Sequence, residues 1–135
     1  MNDVRSRLPE TEKITTNLGL VDLGQIDLLV REGFYSNRTD FIRTAIRGQL
    51  ERHGDAVKQV IGRRQLELGL RSYSRRELEA VRDAGEQLNI QVLGLAIIAP
   101  DVSAELARTT LASLEVLSAL HASDAVKAAL RDRMR

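Results

Sequence analysis

The 135-residue chain contains no cysteine and no tryptophan. Disulfide staples, thiolate metal centres and cysteine nucleophiles are therefore excluded, and export to an oxidising compartment is not implied. Aromatic residues are scarce, and three of the four (Phe34, Tyr35 and Phe41) crowd into one short stretch that marks a local core. The longest apolar run, "LAIIAP" from Leu95, is far shorter than the roughly 20 residues needed to span a bilayer. The opening "MNDVRSRLPETE" lacks the apolar segment of a secretory leader. The expectation is a cytoplasmic protein with no membrane partner.

Charge of one sign is also lacking. The 20 Lys and Arg against 19 Asp and Glu give a net charge of +1, so overall electrostatics do not advertise a nucleic-acid partner. A content of 43% hydrophobic and 29% charged residues is that of a folded chain. No G-x-G-x-x-G phosphate loop, nucleophile–base pair or carboxylate pair is evident, so no catalytic residue is assigned and an enzyme is not expected. The two histidines, His53 and His121, lie far apart. With no cysteine beside them they make no metal site, and no cofactor is expected.

What is present starts with "KITTNLG", residues 13–19. Ile14, Thr16 and Leu18 alternate with Lys13, Thr15 and Asn17, the period of a half-buried strand. No second strand-like run follows for some forty residues, and an unpaired strand leaves its backbone groups unsatisfied. Two helical patterns come next. In "VDLGQIDLLVREG", Leu23, Ile26 and Leu29 or Val30 share a face, Asp22 is the expected cap and Gly33 the terminator. In "FYSNRTDFIRTAIRGQLERHG", Ser36 or Asn37 caps a stripe of Phe41, Ile42, Ala45, Ile46 and Leu50, and Gly54 interrupts it.

One strand and two short helices bury too little to fold alone. Two copies remove the difficulty. Their strands pair antiparallel across a two-fold axis over a shared core, to which Ile14, Thr16, Leu18, Leu23, Ile26, Phe41, Ile42, Ala45 and Ile46 are assigned. The outer face then presents Lys13, Thr15 and Asn17 on a ribbon that fits the DNA major groove.

The segment from Lys13 to His53 resembles the ribbon-helix-helix DNA-binding regulators of the CopG/Arc/MetJ type. The resemblance lies in "KITTNL", in "IDLLVREGFYSNRTDFIRTAI", and above all in the pattern from Gly33 to Arg43. It implies base contacts from Lys13, Thr15 and Asn17. It also implies phosphate contacts from Ser36, Asn37, Arg38 and Thr39 at the start of the second helix. The family's third reading position is often Arg; Asn17 here shifts affinity toward phosphate contacts and neighbouring dimers.

From residue 66 the chain repeats itself. "LGLRSYSRRELEAVRDAGEQL", "LGLAIIAPDVSAELARTTL" and "LSALHASDAVKAALRDRM" begin at Leu68, Leu93 and Leu117. Thirteen residues after each start stand Val81, Leu106 and Leu130. Each copy reads strand, turn, helix, with helix starts at Ser74, Ser103 and Ser123. Short connections between such units favour parallel strands with right-handed crossovers and helices on one side. The chain's length is similar to that of nickel-sensing ribbon-helix-helix repressors, but its histidine count and repeat order do not match theirs.

The expected fold class is α+β. An intertwined β-α-α dimer unit, residues 13–53, follows a flexible arm, 1–12, in which Arg5 and Arg7 could reach flanking DNA. A helical linker, 54–65, leads to a strand-helix repeat domain, 66–135. The expected function is that of a homodimeric transcriptional repressor on double-stranded DNA. Residues 66–135 would serve higher oligomer formation, a small-molecule effector or a protein partner. The alternative is an antitoxin that represses its own operon and binds a toxin through its C-terminal region. Such tails are usually short and fold on the partner, whereas this one is long, periodic and well capped.

Overall fold

Gly33 stops the first helix as its sequence position suggests, with φ at +85°. The computed structural model of the chain describes residues 11–135. Helix α1 spans Leu20–Arg31, and the N–H groups of Gly33 and Phe34 return to the carbonyls of Val30 and Leu29. Its start differs from expectation. Gly19 holds the N-cap position without a side-chain bond, and Asp22 lies inside the first turn. There its carboxylate interacts with the helix dipole instead of capping a backbone amide.

Helix α2 (Arg38–Arg52) is capped by Asn37, whose side chain accepts the Asp40 N–H at 2.8 Å. Asp40 answers by accepting the Ser36 N–H at 2.9 Å. Together the two bonds satisfy amides on both sides of the helix start. Helix α3 (Gly54–Arg64) begins at the expected glycine.

The strand expected at residues 13–18 is not formed by the single chain. Thr11–Gly19 make no strand pairing and are exposed throughout. The physical reason is that a strand exists only through its ladder, and no described segment of the same chain lies alongside this one. The flexible arm expected at residues 1–12, with Arg5 and Arg7, falls outside the described residues except for Thr11 and Glu12.

The described residues divide into two compact units, Thr11–Val60 and Ile61–Arg135. In the first, Ile26 is the one fully buried hydrophobic among the described residues. Leu23, Phe41 and Ile42 are half-buried, and Tyr35 packs edge-on against Phe41 with ring centroids 5.0 Å apart. Ile14, Thr16, Leu18, Ala45 and Ile46, all assigned to a shared core, are exposed in the single chain.

The second unit alternates strands and helices: β1 (Glu67–Tyr73), α4 (Arg75–Asp83), β2 (Leu88–Ile98), α5 (Ala104–Thr110), β3 (Leu111–His121) and α6 (Asp124–Ala129). A short 3₁₀ turn, Arg131–Arg133, follows. The strands form one parallel sheet in the order β1-β2-β3. Neighbouring helices pack on each other, and each starts on a serine of the expected set. Ser74, Ser103 and Ser123 accept the N–H groups of Glu77, Leu106 and Val126 at 3.1, 3.1 and 3.2 Å.

The sequence repeat is also the register of the sheet: Leu68 pairs with Leu93, and Leu93 with Leu117. The repeat does not mark where the strands start, since β2 and β3 begin five and six residues before their leucines. Side chains alternate between faces. Ile90, Val92, Ala96, Ile98 and Leu114 meet Leu78, Leu106, Val126 and Leu130 from the helices in the main core. Leu68, Leu93, Leu117, Leu70, Leu95 and Ala119 lie on the opposite face. One row carries positive φ in all three strands, at Gly69 (+115°), Gly94 (+138°) and Ser118 (+110°). A Cβ on Gly94 would lie 2.2 Å from the carbonyl oxygen of Gly69.

The C-terminal residues close the unit. Arg133 donates to the carbonyls of Arg108 and Leu111, where α5 runs straight into β3 and its last carbonyls lack helical partners. Arg108 in turn grips Asp132 through two bonds of 2.9 and 3.2 Å.

Candidate nucleic-acid interface

The two groups of residues expected from the sequence to contact DNA both lie in the unit Thr11–Val60. The first is Lys13, Thr15 and Asn17, on the exposed segment that precedes α1. Among the described residues their side chains make no ion pair or hydrogen bond.

The second is the start of α2. The first turn of a helix leaves amides without helical acceptors and carries positive potential, which suits an anion. Here that potential is narrowed. The Asp40 N–H is taken by Asn37 and the Ser36 N–H by Asp40. The amides of Arg38 and Thr39 remain, flanked by the hydroxyls of Ser36 and Thr39, all exposed.

Arg38 is placed differently from the rest. Its Nε and Nη2 donate to Asp27 Oδ1 and Oδ2, each at 2.8 Å, in a bidentate pair. The guanidinium therefore joins α2 to α1 across the Gly33 turn. The pair, through its hydrogen bonds first, holds the Asp27 carboxyl below its ordinary range and raises Arg38. A carboxylate with a lowered folded-state pKa stabilises the fold above its unfolded pKa, and that contribution is lost as pH falls through the folded value. Asp27→Asn is thus expected to lower the melting temperature at neutral pH. The gap from the natural chain should shrink under acid; a gap of constant size in a pH series of thermal melts would contradict the pairing.

Arg43 and Arg47 were not singled out from the sequence as contacts. They stand one turn apart on α2, exposed and without an ion pair among the described residues. Like charges at i and i+4 repel on an isolated helix, and that spacing is the signal that could have found them. Among the described residues, no group of three or more His, Cys, Asp or Glu side chains could hold a metal ion. No helix among them is long and apolar enough to cross a membrane.

The sequence profile of the Ribbon-Helix-Helix transcriptional regulator family matches residues 9–127. The chain belongs to this family. The match runs well beyond the segment from Lys13 to His53 that carries the sequence resemblance, and takes in most of the strand-helix repeats as well. The second unit is thus part of what this ribbon-helix-helix family shares. No curated protein and no solved structure matches the chain.

Proposed function

We propose that this ribbon-helix-helix protein is a homodimeric repressor that reads a two-fold DNA site with an antiparallel β-ribbon built from residues 13–18 of both copies. The observation that carries the reading is the exposure of Ile14 (84%) beside an exposed Ile46 and Leu50 in a unit with one buried hydrophobic side chain. Such a unit has no adequate core by itself. A second copy supplies the strand that the first lacks, and covers the apolar side chains it leaves open.

In this arrangement Lys13, Thr15 and Asn17 face base edges: Lys13 suits guanine acceptors, and Asn17 an adenine edge. One phosphate is held on each side by the amides of Arg38 and Thr39, with the hydroxyls of Ser36 and Thr39 and the side-chain NH₂ of Asn37 beside them. Arg38 acts as a positioning residue through Asp27, and Arg43 and Arg47 add positive charge along α2. The modest net charge makes these local placements the source of affinity.

The test is selection from a pool of random DNA duplexes with the full-length protein. Enrichment of a short sequence with two-fold symmetry is the expected result. A pool that stays random, while the protein binds every duplex alike, contradicts a sequence-reading ribbon. A stable complex with a small toxin, formed through the C-terminal unit, would favour the antitoxin reading.

A further inference from the structure

We propose that the partly exposed apolar face of the parallel sheet, the side away from its helices, docks on the same face of a second copy of this chain, within the dimer. The proposal rests on the two-fold dimer of the proposed function and goes beyond it, because the contact lies in the second unit. The face is a ladder of aligned apolar side chains. Leu68, Leu93 and Leu117 form one row, and Leu70, Leu95 and Ala119 the next but one along the strands. On this side Leu68 is 72% exposed and Leu117 44% exposed, Leu70, Leu93, Leu95 and Ala119 are half-buried, and Ile97 beyond them is buried, whereas the opposite face of the same strands is packed into the helix-covered core.

Electrostatics permit two such faces to meet. The acidic group on this side of the sheet, Glu115, is buried and already paired with Arg64. Closing the face leaves no unpaired carboxylate behind. Growth of the sheet through its edges is disfavoured. The β3 edge is occupied by the C-terminal residues, where Met134 bridges Leu114 and the Arg135 N–H bonds the Leu114 carbonyl at 2.8 Å. The β1 edge is guarded by Glu67 and Arg71, which pair with each other at 3.1 Å.

Area decides the occupant. Three strands about 4.8 Å apart and some four residues long at about 3.3 Å each give a flat patch on the order of 200 Å². Even doubled, and allowing for side-chain relief, this falls below the roughly 1,200 Å² of a stable free-standing interface. A free partner would bind weakly here. A second copy tethered by the N-terminal dimer meets the face at an effective concentration of about millimolar, which makes a small apolar contact sufficient.

The natural chain has no cysteine, so one introduced thiol reports one position. Leu93, central in the middle strand, lies near the two-fold axis of any such pairing. The full-length Leu93→Cys variant under mild oxidation is expected to form a disulfide-linked dimer at least about tenfold faster than Arg76→Cys on exposed α4, with a yield unchanged over about a hundredfold dilution. Adding Leu68→Glu and Leu117→Glu to Leu93→Cys should abolish the cross-link while sedimentation still shows a dimer. Equal rates for the two thiols, or a yield that falls with dilution, overturn the proposal. A monomer in sedimentation of the natural chain would instead overturn the N-terminal dimer, and is read separately from the cross-link.

Discussion

Ile14→Asp is expected to break the dimer and abolish DNA binding. In the single chain Ile14 is almost fully exposed, and a surface substitution of this kind ordinarily changes stability by no more than about 0.5 kcal/mol. If the strand pairs with its two-fold mate, the same side chain lies in the shared core, and the variant places two carboxylates there. Burying charge without partners should cost at least about 3 kcal/mol per dimer. That corresponds to a rise of more than about a hundredfold in the dimer dissociation constant, readable by sedimentation equilibrium. The adjacent residue gives the contrast, because neighbouring side chains of a strand face opposite ways. Thr15→Asp should leave the mass unchanged and remove DNA binding by repulsion from the phosphates. Indistinguishable behaviour of the two variants would refute the alternation on which the ribbon depends.

Gly94→Ala is expected to be the most damaging single methyl group in the second unit. The new Cβ would meet the Gly69 carbonyl oxygen at 2.2 Å, backbone against backbone, at φ +138°. Neither atom can swing aside as a flexible side chain would, so β1 and β2 must separate at the middle of their ladder. The strain and the lost pairing should cost about 3 kcal/mol or more, a large share of the 5–15 kcal/mol typical of a domain. Urea unfolding followed by circular dichroism measures it. Gly62→Ala, in α3 with open space around it, is the matched control and should gain up to about 1 kcal/mol. A Gly94→Ala chain as stable as its control would mean that the row from Gly69 to Ser118 is not built as described. Ser118, at φ +110° in the same row, carries its side chain in a conformation that favours glycine, so Ser118→Gly should be tolerated.

The helical parts of the chain were legible because their signals are local. Asn37, Ser74, Ser103 and Ser123 cap the helices that their side chains suggest, and Gly33 ends α1 through its positive φ. The parallel sheet was legible through its repeat, since equal spacing of Leu68, Leu93 and Leu117 became equal height in the ladder. Strand starts were less legible. Residues 88–92 and 111–116 precede the repeated leucines and carry mixed polar and apolar side chains, which read equally well as connections.

Helix α1 starts three residues earlier than a cap at Asp22 would place it, because Asp22 suits a first turn as well as a cap. Least visible was the pairing of Arg38 with Asp27, eleven residues apart and joined only by the fold of the turn between two helices. A residue type that suits phosphate also suits carboxylate, so spacing alone could not choose between them. The strand expected at residues 13–18 belongs to a different category: no described segment of the same chain pairs with it, and the proposed ladder partner is a second copy.

Sequence-specific binding in the proposed dimer depends on residues 13–18 and on their outward-facing side chains. The most direct measurement is DNA selection with the Thr15→Ala, Asn17→Ala double variant alongside the natural protein, with the mass of each checked in solution. The expected result is that both are dimers, that the natural protein enriches a two-fold site, and that the variant retains weak binding without preference. If the variant enriches the same site as strongly as the natural protein, residues 13–17 do not read DNA.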